Sequence, residues 1–487
     1  GLIMGELDSN FSINVNNEDQ YETQTINGPL IRLKKDKIDI QVGLDFGTSA
    51  TKVMFRRIGG RTAKVVDFQH NLPHYPNYCL PSLAAVDKNG HLLLGAEAAK
   101  YLIDYSWDTG FQRMKVIVAG NTDERFLDPI TKEKFDNYSC ECGIRDALSP
   151  EKLTAIYIAY VMKAIKNYIK LQDEFRNIEI NFIFNVCLPI DHIQKKETKG
   201  VFENIFSWAE RIEDEWQNQN KKFDLLEAAE NLREKQIKTD TRVFAIPESV
   251  AQISSYLQSL QRRENLHAII DFGAGTTDIS IFNYSEITGD STTWWFAAKN
   301  VPCGTINVER VLSKHISDGK NKTICRQVDI YQCLQDIISL ERNFDLNDGR
   351  IKLVGAVKKE LEDFRMSREY IDVWATAYRR YSRIDKFKNI EVFICGGGSE
   401  FPYLNETFST PWWDAINVKY PVRKLPLPDD YDGSSCNAPF DRMAVAYGLT
   451  IPKPQLDKFV LPDDVQDFEM VKPQAIEIDH EDIYSEK

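Results

Sequence analysis

The segment Asp45-Phe-Gly-Thr-Ser-Ala-Thr51 decides the fold, because the second half of the chain repeats it as Asp271-Phe-Gly-Ala-Gly-Thr-Thr277. Asp, Phe, Gly and the final Thr recur at matching places. Each copy follows an apolar, strand-like run and precedes another, at Val53–Phe55 and at Ile279–Phe282. Each is therefore predicted to be the tight turn of a β-hairpin, and the duplication predicts two similar lobes that face each other.

The composition of the two turns suits the binding of an anion. Side chains as small as Gly47, Gly273 and Gly275 let backbone N–H groups converge, and the Thr and Ser hydroxyls add donors. Asp45 and Asp271, at the mouths of the turns, can hold a hard divalent cation, directly or through its waters. Two ordinary glycine-rich hairpins are the alternative, but they would not explain a repeat in register. The turns therefore predict a polyphosphate site.

Two other phosphate-binding patterns are missing from the sequence. The Asp-Phe-Gly triplets do not indicate a protein kinase, because the chain has no His-Arg-Asp loop and no Val-Ala-Ile-Lys strand. No Gly-Lys-Ser or Gly-Lys-Thr occurs, so a Walker A loop is also excluded.

Length and composition restrict the class of protein. With 487 residues, 43% of them hydrophobic, the chain is too long for one small module and too apolar for global disorder. The net charge of −13 makes direct nucleic-acid binding an unfavourable hypothesis. No apolar run approaches the roughly 18 to 20 residues that cross a bilayer, and no signal-peptide pattern opens the sequence. A cytoplasmic protein that does not contact a membrane is expected.

Cysteine usage predicts neither disulfides nor zinc. Nine cysteines are scattered along the chain, several within apolar runs, where buried free thiols are expected. Cys140 and Cys142 lack a second pair of ligands at zinc spacing, so a metal site there is disfavoured.

Periodicity and composition divide the chain into segments. We expect a flexible N-terminal extension, a first lobe with a charged helical insertion, a second lobe, a connecting helix that returns to the first lobe, and an acidic tail. Their bounds are 1–37, 38–262 with the insertion at about 209–240, 263–438, 439–452 and 453–487.

Five motifs, in order along the chain, resemble those of the actin, sugar-kinase and heat-shock ATPase superfamily. They are the two phosphate motifs Val42–Ser49 and Ile270–Asp278, the connecting helices Ala245–Gln252 and Ala444–Gly448, and the adenosine motif Cys395–Pro402. This resemblance implies an α/β fold in which two similar actin-like lobes, each a mixed sheet flanked by helices, surround a central nucleotide cleft.

Within the superfamily, the chain is most similar to the ATPase domain of the seventy-kilodalton heat-shock chaperones. Gly95–Lys100 resembles the segment that carries their catalytic lysine. The chain after Pro452 is too short for their peptide-binding domain, which is therefore expected to be missing. Two features resemble actins instead: Lys52, seven residues after Asp45, and Val186–Pro189, which is similar to a segment of plasmid-segregation actins.

The resemblance implies ATP and Mg²⁺ as cofactors and assigns roles to particular residues. The catalytic residues would be Lys100, Glu248, Asp271 and Asp278, and Asp45 and Asp271 would hold Mg²⁺ through water. Nucleotide contacts are expected from Asp45, Gly47, Thr48, Ser49, Lys52, Gly273, Ala274, Gly275, Thr276, Thr277, Gly396, Gly397, Gly398 and Ser399. Helix residues 360–367 can be aligned with the chaperone helix that flanks adenine, with Arg365 or Ser367 replacing the usual lysine, where Asp363 stands.

The expected function is a slow, Mg-dependent ATPase that acts as a chaperone-like nucleotide switch and controls an unknown protein partner. One alternative is a filament-forming actin-like ATPase, in which the chain associates with itself. Another is a regulatory pseudo-ATPase that binds a partner through the insertion or the tail.

Overall fold

The computed structural model describes residues 37–73, 75–88, 91–104, 110–120, 149–218, 241–287, 290–308, 311, 348–399, 401 and 403–465. These residues form an α/β structure of mixed sheets flanked by helices. The predictions for residues 1–36, for Cys140 and Cys142, for residues 219–240 of the insertion and for residues 466–487 of the tail lie outside the described residues.

The strands of the first sheet are β1 Lys37–Phe46, β2 Ala50–Arg57, β3 Ala63–Val65, β4 Leu80–Pro81, β7 Glu179–Leu188, β8 Val243–Pro247 and β14 Tyr431–Asp432. Their order is β14-β3-β2-β1-β7-β8, with β4 paired to β2. Strand β2 runs antiparallel to β1, whereas β7 is parallel to both β1 and β8. A separate pair consists of β5 Ala84–Val86 and β6 Leu92–Leu94.

The strands of the second sheet are β9 Leu266–Phe272, β10 Thr277–Ile287, β11 Asp290–Val301, β12 Glu391–Cys395, β13 Val422–Arg423 and β15 Lys458–Val460. Their order is β13-β12-β9-β10-β11-β15. Strands β9 and β10 form an antiparallel hairpin, as β1 and β2 do. Strand β15 pairs with β11, so the start of the expected tail belongs to this sheet.

The helices flank the sheets. They are α1 Gly95–Asp104, α2 Met114–Val118, α3 Pro150–Lys170, α4 Ile190–Gln194, α5 Lys196–Asn218, α6 Glu248–Gln252, α7 Ser254–Gln258, α8 Asp348–Arg365, α9 Arg368–Arg380, α10 Ile384–Lys388, α11 Leu404–Ser409 and α12 Phe440–Leu449. Ser149 caps α3, because its side chain accepts a hydrogen bond from the backbone N–H of Lys152. None of the described helices has both the length and the apolar character that spanning a membrane requires.

Strand β1 is covered on both faces, which its alternating sequence does not predict. The residues Ile40, Val42 and Leu44 belong to the core cluster that α3 completes, as a period of two predicts. On the opposite face α12 lies so close that a Cβ on Gly43 would be 2.3 Å from the carbonyl oxygen of Ala446. Asp45 is therefore buried although it stands at a polar position of the pattern.

Helices α6 and α12 touch each other through backbone. A Cβ on Gly448 would lie 1.8 Å from the carbonyl oxygen of Ala251, so only glycine permits this approach. The contact holds together the helices that carry Glu248 and Arg442, both of which line the cavity described below.

The beginning of the predicted insertion is packed rather than solvated. Residues 209–218 form the end of α5, where Ala209 and Ile212 are buried in the core shared with α3. Glu213 is fully buried and bonds the ammonium of Lys166 on α3. The charge of this stretch therefore belongs partly to an internal ion pair.

Candidate functional site

The two repeated turns line one cavity of about 250 Å³. Most of the residues selected from the sequence are in its wall: Asp45, Gly47, Thr48, Ser49, Lys52, Glu248, Asp271, Gly273, Ala274, Thr276, Asp278, Gly396, Gly397 and Gly398. The turns also contact each other, since a Cβ on Gly275 would lie 3.2 Å from the Thr48 methyl carbon. The duplicated segments thus enclose a common space.

The first turn places a cation directly opposite its aspartate. Asp45 and Lys52 are cross-strand partners, and Nζ of Lys52 lies 2.7 Å from Oδ2 of Asp45. The same ammonium donates a 3.0 Å hydrogen bond to the carbonyl oxygen of Arg442. Burial lowers the pKa of Lys52, but the Asp45 carboxylate, together with Cys79 and Asp271, outweighs burial and holds that pKa above its usual value.

The second turn places an acid opposite its aspartate. Asp271 and Asp278 are cross-strand partners. Gln252 donates to Oδ2 of Asp271, and Asn300 donates to Oδ1 of Asp278 over 2.9 Å. Burial, followed by the Glu248 carboxylate, raises the pKa of Asp271 to about 7. The same two causes raise the pKa of Asp278 well above its ordinary value. This pair is therefore costly to ionise without a cation.

Glu248 begins α6 and meets a lysine that the sequence motifs did not indicate. Nζ of Lys115, on α2, lies 3.1 Å from Oε2 of Glu248. Burial opposes the charge of this ammonium, yet Glu248 foremost, and then Cys187 and Asp45, raise its pKa. A lysine inside the apolar run Met114–Val118 was the signal available in the sequence.

Lys100 does not reach this cavity, which corrects the expectation that it lies near the phosphates. The segment Gly95–Lys100 does begin a helix, α1, but the buried face of α1 consists of Ala98, Ala99 and Leu102. Lys100 is exposed to solvent instead. The structure puts Lys115, not Lys100, beside Glu248.

Further selected residues have other positions. Thr277 is buried, and its hydroxyl donates to the carbonyl oxygen of Cys303 over 2.6 Å. Ser399 is not among the residues that line the cavity. In the helix compared with the adenine-binding one, Arg365 bonds Glu362 and the carbonyl oxygen of Pro411, and Ser367 caps α9. Asp363 is exposed.

Several residues in the cavity wall were not indicated by any motif. They are Tyr75, Pro76, Cys79, Gln112, Arg113, Thr305 and Arg442. Most come from irregular segments, where periodicity carries no information. Arg442 lies just outside the second connecting motif, two residues before Ala444.

The oxygen atoms of the cavity suit a hard cation such as Mg²⁺. Asp271 and Asp278 offer facing carboxylates, and a cation beside them offsets their mutual repulsion. The ligand atoms of Asp45, Cys187 and Glu248 also lie within 4.8 Å of one another. A thiol is a poor ligand for Mg²⁺, and Lys52 and Lys115 already bond those two carboxylates, so Asp271 and Asp278 fit Mg²⁺ better.

No protein-family model matches the chain, and no curated protein matches it in sequence.

Proposed function

We propose that this protein binds ATP with Mg²⁺ in the cavity and hydrolyses it slowly, as a switch that controls a protein partner. In this proposal the two sheets and their helices correspond to two actin-like lobes. The observation that carries the proposal is that the repeated turns, distant in sequence, line one cavity together with four carboxylates and two lysines. The family resemblance supplies the identity of the nucleotide.

The turns would bind the terminal phosphates through backbone N–H groups and hydroxyls. Gly47, Thr48 and Ser49 supply one side, and Gly273, Ala274 and Thr276 the other. Mg²⁺, when bound, neutralises phosphate charge next to Asp271 and Asp278. Lys52 would help to orient the phosphates while it remains bonded to Asp45.

Lys115 and Glu248 would act on the transferred phosphoryl group and on water. Phosphoryl transfer depends mainly on positioned charge, and a buried ammonium stabilises charge that develops on the transferred group. Glu248, bonded to Lys115, can orient the attacking water. Asp278 would help to orient the same water by accepting a hydrogen bond from it.

A filament-forming actin-like ATPase is the second candidate, and the position of Lys52 favours it. The resemblance assigns the phosphate lysine of actins to Lys52, and this residue lines the cavity. Sedimentation in the presence of ATP and of ADP distinguishes the candidates, because only a filament pellets in a nucleotide-dependent way. The pseudo-ATPase alternative predicts nucleotide binding without turnover.

Thermal unfolding with and without Mg-ATP tests the proposal. A ligand present at a hundred times its Kd stabilises the native state by about 2.7 kcal/mol, so a clear rise in Tm is expected. Gly397→Leu should abolish that rise, because the position opens toward Arg442 and a side chain there enters the cavity. Gly200→Leu is the matched control, since a Cβ there meets no atom within 4 Å. Absence of any shift in the parent at millimolar Mg-ATP would overturn the proposal.

A further inference from the structure

Arg442 is an arginine in the cavity wall to which no motif assigns a role. It lies in the first turn of α12, and its guanidinium carbon is 5.6 Å from the centroid of the Tyr78 ring. Nη1 lies 3.4 Å from the Tyr78 hydroxyl oxygen. Nη2 is 3.6 Å from the position that a Cβ on Gly397 would occupy. Tyr78 thus fixes one part of the guanidinium, and an N–H edge faces the glycine turn.

The place of Arg442 in the cavity is defined by its neighbours on both sides. Its carbonyl oxygen accepts the hydrogen bond of Lys52, so the start of α12 is fixed to the first turn. Its guanidinium reaches Gly397, which belongs to the turn after β12. Lys115 and the tips of the two turns are a separate group, since a Cβ on Gly275 would lie within 4 Å of the side chains of Thr48 and Val116. Arg442 therefore lies between the expected phosphate end and the expected nucleoside end.

We propose that Arg442 binds the α-phosphate of the nucleotide, an inference that rests on the proposed function. A guanidinium forms short, charge-assisted hydrogen bonds to phosphate oxygens with a fixed geometry. The terminal phosphates belong between the turn tips and Lys115, which leaves the α-phosphate for the cation nearest Gly397. Arg442 presents an N–H edge to the Gly397 turn, which suits an anion better than the flat face of a base.

A ligand series tests this assignment in the full chain. Affinities for ATP, ADP, AMP and adenosine are measured with Mg²⁺ present for the parent, Arg442→Met, Arg442→Lys and the control Arg368→Met, whose arginine is exposed on α9. We expect Arg442→Met to weaken ATP, ADP and AMP by a similar factor, roughly ten- to a hundredfold, and to leave adenosine unchanged. Arg442→Lys should restore part of the loss, and Arg368→Met should change nothing.

Each other outcome has a distinct meaning. An equal loss for adenosine would overturn the α-phosphate assignment and make Arg442 a base-stacking residue. A loss for ATP alone would assign it to the γ-phosphate, and no loss for any ligand would remove it from the site. If Arg442→Met unfolds, as judged by far-ultraviolet circular dichroism, the comparison of AMP with adenosine in Arg442→Lys decides. A parent that binds no nucleotide would overturn the proposed function itself.

Discussion

The two hairpins at the cavity share one backbone design but differ in the residue that faces the aspartate. In the β1–β2 hairpin Asp45 faces Lys52, and in the β9–β10 hairpin Asp271 faces Asp278. Both partners stand seven residues after their aspartate. The first hairpin therefore neutralises its own carboxylate, whereas the second holds two acids whose pKa values are raised by burial and by Glu248. The same turn design thus carries its own cation, Lys52, in the first half of the chain, and in the second half it needs an added cation to balance two acids.

The largest effect is expected from the comparison of Asp45→Asn with Asp271→Asn, because the two variants should differ strongly in their free energy of unfolding. Asp45→Asn leaves the Lys52 ammonium buried without its carboxylate, and breaking a buried ion pair costs about 3–5 kcal/mol. Burial and Glu248 raise the pKa of Asp271 above that of an unfolded aspartate, so near pH 7 this carboxyl group destabilises the native state, and Asp271→Asn should not lower the free energy of unfolding when no metal is present. Urea unfolding of both variants in metal-free buffer measures the difference. Equal losses would contradict the contrast between the hairpins.

The next largest effect concerns the lysine beside Glu248. Lys115→Met should lower single-turnover ATP hydrolysis by about ten- to a thousandfold, as the loss of other groups that stabilise a transition state does. ATP affinity should fall much less, because the turns and Lys52 still contact the phosphates. Lys100→Met is the matched control and should leave hydrolysis unchanged, since Lys100 is exposed. The reverse result would restore the chaperone-like assignment of Lys100.

Acid should destabilise the native state at His267 of β9, a residue for which β1 has no titratable counterpart. Gln41 and His267 stand at equivalent positions of the repeat, each four residues before the aspartate of its hairpin. Gln41 donates to the carbonyl oxygen of Ile183, and His267 bonds the Tyr256 hydroxyl. Burial lowers the pKa of His267 to about 4. The unfolded chain therefore takes up a proton below about pH 6.5, while the folded chain does not until about pH 4. The stability associated with neutral His267 is present above pH 6.5 and is lost as the pH falls through this window.

The variant His267→Gln isolates this contribution. The stability difference between the parent and the variant should decrease by about 3 kcal/mol from pH 7 to pH 4, because the variant has no proton to take up. His192, whose pKa burial also lowers to about 4, is present in both proteins and cancels. Parallel pH profiles of urea unfolding would contradict the prediction.

The smallest effect is expected from replacing Thr51 and Thr277, the threonines that end the two repeated segments. The Thr51 hydroxyl bonds Ser82 and Tyr157, and Tyr157 also donates to the carbonyl oxygen of Pro81. The Thr277 hydroxyl donates to the carbonyl oxygen of Cys303. Thr277→Val should therefore cost about 1–2 kcal/mol, and Thr51→Val about 1 kcal/mol or less. A larger loss for Thr51→Val in urea unfolding would contradict this order.

Local sequence patterns predicted several of the strands and helices. The alternation from Ile38 to Phe46, the helical spacing after Pro150 and the apolar run before Gly396 correspond to β1, α3 and β12. These signals depend on neighbouring residues only, so one sequence suffices to read them. The repeat also identified the residues of both turns that line the cavity, because it marks the turns directly.

The remaining site residues depend on contacts between distant parts of the chain. A motif located α1 but did not determine which face of the helix is buried, so Lys100 was chosen although it points to solvent. Lys115 and Arg442 approach the cavity through the packing of α2 and α12, which no local pattern encodes. Residues 458–460 were assigned to a tail because a strand of three residues has no measurable period.

The bond between Lys52 and Arg442 spans 390 positions of sequence, and this separation has a consequence for folding kinetics. The central strands of the first sheet are complete once Pro247 has been synthesised, but the face of β1 at Gly43 stays uncovered until α12 has been made. Contacts of such high sequence separation slow folding, because the entropy of closing a long loop is lost before the contact forms. During synthesis the half-made chain therefore exposes the Gly43 face of β1, and a chaperone that shields it would act before the cavity exists.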